Sequence, residues 1–142
     1  MTTPKAAAFV GHDWFLFSGR LLLVALFAIS GFQKLGQIDG ISQALASKGL
    51  PLPLVAAWIG ALVEIGAALA IILGVQARRA AVALILFTAL ATVLFHNFWS
   101  FEGAARDAQF IHFFKNVGLI GGLLLLIAAG PGRVAVPLRK NS

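Results

Sequence analysis

The chain runs to 142 residues, of which 60% are hydrophobic and only 11% charged, with no cysteine and a formal net charge of +6. Soluble domains average about 25% charged residues, so an ordinary soluble enzyme of this composition would expose much of its Leu, Ala, Phe and Val to water, and a disordered chain needs the opposite balance. The lack of cysteine removes disulfides, thiolate metal sites and dithiol redox chemistry, and the basic residues stand singly or in pairs beside apolar runs, a pattern of membrane orientation rather than nucleic-acid binding.

At about 20 apolar residues per membrane-crossing helix, four spans account for more than half of the chain. The first is expected over about residues 14–35, where a short charge-free run forces Arg20 and Lys34 to snorkel toward opposite interfaces. Leu21 to Phe27 followed by Ala28-Ile29-Ser30 also resembles a cleaved secretory signal, but Asp13 and the aromatic residues Phe9, Trp14, Phe15 and Phe17 before Arg20 favour a retained span. The second, about 53–74, opens after Pro51-Leu52-Pro53, where proline suits a helix start. It carries Glu64 near its middle. About six residues then lead to the third span, about 80–100, so these two form an antiparallel hairpin. The fourth, about 110–129, stops at Gly130-Pro131-Gly132 and contains Gly118 and Gly122 at the spacing of a helix contact.

The expected fold class is therefore all-α, a four-helix transmembrane bundle with antiparallel neighbours, in one membrane domain with a basic cytoplasmic tail over about 130–142. An even number of spans puts both termini on one side together with Lys5, Arg20, Arg78, Arg79, Arg133, Arg139 and Lys140. The other side receives Lys34, Lys48, Arg106 and Lys115. The positive-inside rule assigns the termini to the cytoplasm.

Glu64 carries the most chemical information, since an acid at mid-span costs at least about 2.5 kcal/mol and must face protein, water or a partner. At helical spacing its face reads Ala57, Gly60, Ala61, Glu64, Ala67 and Ala68, small side chains that admit a neighbouring helix or a ligand. Arg20, Phe27, Gly31 and Lys34 fall on one stripe of the first span. Counted from the span ends, Arg20 lies about 9 Å deep and Glu64 about 15 Å deep, so an Arg20–Glu64 pair is expected. Thr88, Thr92 and His96 line one face of the third span, and His112, Lys115 and Asn116 one face of the fourth. Turned inward, these stripes make a polar pocket with Glu64 at the middle and His96, His112, Lys115, Asn116 and Lys34 at the outer mouth. Interfacial anchoring is the structural alternative for Lys34, His112 and Lys115. No metal site is expected. Haem ligation by His96 and His112 has only two histidines in its favour.

Several short motifs in this order resemble the DoxX family of small bacterial inner-membrane proteins, in particular its YqjF-like members. They are Gly31-Phe32-Gln33-Lys34, Gly49-Leu50-Pro51 ahead of Glu64, Gly74 before Arg78, His96, and Phe114-Lys115-Asn116 leading to Gly121-Gly122 and Gly130-Pro131-Gly132. The resemblance spans about residues 17–133 and departs from the family pattern after Gly132, where Ala135 and Pro137 stand. It implies a four-helix inner-membrane bundle labelled as an oxidoreductase or quinol-oxidase subunit, with Arg20, Lys34, Glu64, His96 and Lys115 as its polar set.

The functional expectation is a subunit of a membrane redox assembly that is not a self-sufficient enzyme. Its catalytic pair would be Glu64 and Arg20, and its ligand-binding residues His96, Lys115, Asn116, Lys34 and His112. No intrinsic cofactor motif is present, so a quinone would come from the bilayer and electrons from a soluble or membrane redox partner. Homo-oligomerisation is compatible with this reading. A small solute or proton transporter using the same seam and a non-catalytic scaffold are the rival classes.

Overall fold

The computed structural model describes residues 12–136. The described residues are helical throughout their regular structure: α1 (His12–Leu35), α2 (Ile38–Ser47), α3 (Pro53–Leu73), α4 (Ala77–Phe95) and α5 (Gly103–Ala129), with a 3-10 turn at Phe98–Ser100. Helices α1, α3 and α5, and α4 together with the 3-10 turn that follows it to Ser100, are long and apolar enough to cross a membrane, and they form the expected all-α bundle. Lys5, Phe9, Pro137, Arg139 and Lys140 lie outside the described residues, so the expected basic tail is described only in its first half.

Helix α3 is the centre of the bundle, packing against α1 on one side and α4 on the other, while α5 packs on α4 and touches α1 lightly. The reason lies in its sequence. Ala57, Ala61, Ala67 and Ala68 are buried on one face together with Glu64 and Ile71, and a face of small side chains lets neighbouring backbones approach closely, which is how helices associate where lipid removes the hydrophobic driving force. Gly31 on α1 answers this face. A Cβ there would stand 2.7 Å from Ile65 Cγ1 and 3.2 Å from Glu64 Cβ, so no larger residue fits without a shift. The outward faces are apolar. Leu22 is 79%, Leu86 67% and Leu125 72% exposed, surfaces that lipid satisfies and water does not.

The apolar core sits toward the end of the bundle where α1 begins and α5 finishes. It is built from Val24 and Phe27 of α1, Ala68 and Ile71 of α3, Ala81 and Leu84 of α4, and Leu123 and Leu126 of α5. At that end the turn between α3 and α4 is tight, with Gly74 at φ 73° and Gln76 at φ 50°. Residues after α5 fold back across it: the Arg133 N–H donates to Asp13 Oδ1 at 2.9 Å and the Val136 N–H to the Leu73 carbonyl at 2.8 Å. Arg78 Nε caps the Ile127 carbonyl at 2.9 Å, satisfying one of the free acceptors at the end of α5.

Three elements differ from the sequence expectation. Helix α2 fills the connection between the first two spans, with Ile38, Ile41 and Leu45 set against Ala57 and Ala61 of α3 in a second apolar cluster. Helix α4 ends at Phe95, and His96 leaves the helix at φ −121° before the 3-10 turn. Helix α5 begins at Gly103 rather than near residue 110, because the exposed residues Arg106 and Asp107 continue the same helix beyond its apolar stretch.

Candidate functional site

Glu64 is 3% exposed, and its Oε2 lies 2.6 Å from the Nζ of Lys34. The same ammonium donates to Ser30 Oγ at 2.5 Å, one helical turn back on α1. Close packing at Gly31 fixes the register of α1 against α3 and so places Lys34, about one turn further on, beside the carboxyl. Lys34 also stands 5.9 Å from the centre of the Phe87 ring on α4, so the pair touches three helices.

The expected Arg20–Glu64 pair does not form. Gly31 is level with Glu64, and Arg20 is about 11 residues or about 16 Å from that level along α1. Depth counted from the span ends misplaced the register, since α1 and α3 do not start and stop in the same planes. Arg20 is instead 2% exposed near the other end, with its Nη2 donating to the carbonyl of Val134 in the returning chain.

The stripes on α4 and α5 do meet. Asn116 Nδ2 donates to Thr92 Oγ1 at 2.9 Å, and Thr92 Oγ1 in turn donates to the Thr88 carbonyl at 2.6 Å. His96 Nδ1 pairs with Gln109 Oε1 at 2.8 Å, and its ring stacks on His112 with centroids 5.1 Å apart. Lys115 Nζ reaches His112 Nδ1 at 3.2 Å. The two imidazoles lie against each other, leaving no gap for a haem macrocycle between them. Among the described residues no cluster of three or more His, Asp or Glu side chains could hold a metal ion.

The structure thus sorts the residues of the expected pocket into two polar walls. One is Lys34, Glu64 and Ser30 on α1 and α3. The other is His96, His112, Lys115, Asn116, Thr92 and Gln109 on α4 and α5. Ser30 and Gln109 were missed in the sequence, although Ser30 stands four residues before Lys34 and Gln109 three before His112, the spacings that share a helix face. The walls lie in the half of the bundle away from the apolar core. Helix α5 has its buried residues, Leu123 and Leu126, only near its end, where Gly122 lies against Leu23 of α1. Its other half leaves Lys115 exposed and His112 and Asn116 half-buried. A cleft of about 500 Å³ lies elsewhere, between Leu35–Gly40 and Leu54 and Trp58. Its one ionisable side chain, Asp39, makes it a weaker place for chemistry than the Lys34–Glu64 pair.

The sequence model of the DoxX family matches residues 15–97, which include Arg20, Lys34, Glu64 and His96. Inner membrane protein YphA of Escherichia coli is 39% identical over 124 residues, covering 87% of this chain and 89% of its own length. Inner membrane protein YqjF of the same organism is 34% identical over 125 residues, covering 86% and 88%. Surfeit locus protein 4 homolog of Schizosaccharomyces pombe is 30% identical over 143 residues, which is 97% of this chain but 41% of that longer protein. No solved structure matches the chain. With the family model covering more than half of the sequence, and two inner-membrane relatives each aligned over more than four-fifths of it, the chain is a four-span membrane protein that belongs to the DoxX family.

Proposed function

We propose that this protein binds a quinone-type ligand from the bilayer between its two polar walls and serves as the membrane subunit of a redox assembly. The observation that carries the reading is the Lys34–Glu64 pair, an ion pair midway along α3 that is buried on the Glu64 side while 27% of the Lys34 side chain stays exposed. A pair maintained there at an energetic cost is a functional site by default. Lys34, Lys115, Asn116 and the histidines supply hydrogen-bond donors, and Phe87 beside Lys34 supplies apolar surface, a donor set that fits the carbonyl oxygens and flat ring of such a ligand.

A bound quinone supplies two-electron, two-proton chemistry, with the electrons drawn from a partner protein. In this reading Lys34 positions and donates to one ligand oxygen, and Glu64 takes up or releases the proton that the ammonium exchanges. On the second wall His96 is oriented by Gln109, and Lys115 is steered by His112. Arg20, remote from this pair, has no part in it. In this reading the termini are cytoplasmic, supported by the positive-inside rule and the basic residues Arg78 and Arg79, with the polar half then toward the opposite face.

Transport by a single chain is the weaker reading, because the polar walls end against Val24, Phe27, Leu84 and Leu123, which close the other half with side chains no more than 4% exposed. The test is titration of a short-chain ubiquinone into the purified protein in nanodiscs, read by quenching of the tryptophans. Wild type should bind saturably, Glu64→Gln and His96→Ala should weaken binding at least about tenfold, which is about 1.4 kcal/mol, and Arg106→Gln should leave it unchanged. Equal binding in all four proteins, or none in wild type, contradicts the proposal.

A further inference from the structure

The end of the bundle opposite the Lys34–Glu64 pair holds a second polar feature that the proposed function does not use. Arg20 is 2% exposed, and apart from the Nη2 bond to Val134 its Nε and Nη1 have no partner. No carboxylate opposes it: among the described residues the ion pairs are Lys34–Glu64 and Arg106–Asp107. A buried guanidinium with unclaimed donors is expensive unless an anion stands near it.

The surroundings suit an anion. Arg20 Nη1 faces Gly74, where a Cβ would stand 2.6 Å away, and Gly74 is a wall of a cleft of about 310 Å³ completed by Gln76, Ala77, Arg78, Arg79 and Pro131. Helix α4, 19 residues long, opens at this cleft from Gln76 with no side-chain cap, so its first N–H groups are available there. Arg78 is held in place by its Nε bond to Ile127, and Arg79 is exposed beside it. Against Arg20, Arg78, Arg79 and Arg133 this end offers one described acid, Asp13, whose carboxyl already accepts the Arg133 N–H.

We propose that the cleft at the α3–α4 turn is a phosphate-binding site, filled either by the phosphate of a lipid headgroup from the adjoining leaflet or by free phosphate. Guanidinium groups and an open helix N-terminus both favour a phosphate oxygen, the first by paired N–H donors and the second by its dipole. The buried Arg20 then serves as the fixed charge behind the site, and Arg78 and Arg79 as its mouth. This assignment is independent of the quinone reading, since it involves neither polar wall.

The test is thermal unfolding of the purified chain in a non-ionic, phosphate-free detergent, followed by tryptophan fluorescence. One arm adds inorganic phosphate against chloride at equal ionic strength. The other adds phosphatidylglycerol against diacylglycerol, which lacks the phosphate. At saturation the phosphate-bearing probe should raise Tm by about 3 °C, with the Arg78→Gln/Arg79→Gln protein losing most of that rise and Arg106→Gln, at the opposite end, keeping it. Should the double variant not fold, Arg79→Gln, which breaks no described hydrogen bond, should lose about half of the rise. A response to phosphate ion assigns the free anion, and a response to phosphatidylglycerol alone assigns the lipid headgroup. No rise with either probe, or an equal rise in the arginine variants, overturns the site.

Discussion

Gly31 and Glu64 touch across the α1–α3 interface, with only 3.2 Å between the Glu64 Cβ and the position a Gly31 Cβ would take. That contact sets the register by which Lys34 rather than Arg20 becomes the partner of the buried carboxyl. A methyl group at Gly31 would also meet Ile65 at 2.7 Å. Gly31→Ala should therefore destabilise the bundle by about 1–3 kcal/mol, the usual cost of overpacking, and Gly31→Leu should prevent native packing altogether. Unfolding by steric trapping in bicelles measures both.

Removing one member of the Lys34–Glu64 pair strands the other inside the bundle. Lys34→Met should cost about 3–5 kcal/mol. Adding Glu64→Gln to it should restore most of the loss, because the leftover group is then neutral. A single-variant loss that the second substitution deepens would show that each residue has some other partner.

The Arg20 guanidinium ties the returning segment at Val134 to α1. Arg20→Met should release that segment, at a local cost of about 1–3 kcal/mol, seen as faster tryptic cleavage at Arg133. The stability of the Lys34–Glu64 pair should not change, since the two lie about 16 Å apart along α1.

The bond from Asn116 to Thr92 joins α5 to α4 in the polar half. Asn116→Ala should cost about 0.6 kcal/mol and no more than about 1.7, the range for hydrogen bonds between membrane helices. Thr92→Val should match it, and the double variant should cost little more than either alone.

Much of this arrangement is legible in the sequence. The small-residue face of α3 around Glu64 and the meeting of the Thr92–His96 and His112–Asn116 stripes follow from helical periodicity, which is a local property of each segment. The partner of Glu64 is not local. It depends on the axial offset between α1 and α3, set by the clash-free fit of Gly31 against Ile65, and charge counting along one chain carries no information about that offset. Helix α2 was hidden for a different reason: its ten residues are too short to cross a membrane, although Ile38, Ile41 and Leu45 carry the helical spacing. The early start of α5 was missed because apolar runs mark where a helix meets lipid, not where its hydrogen bonding begins.

The most direct test of the account is a pair of double-mutant cycles on stability in bicelles, Lys34→Met with Glu64→Gln and Arg20→Met with Glu64→Gln. The pairing described here predicts a coupling of about 2 kcal/mol or more in the first cycle and, for residues this far apart, less than about 0.5 kcal/mol in the second. Coupling confined to the arginine cycle, or absent from both, would contradict it.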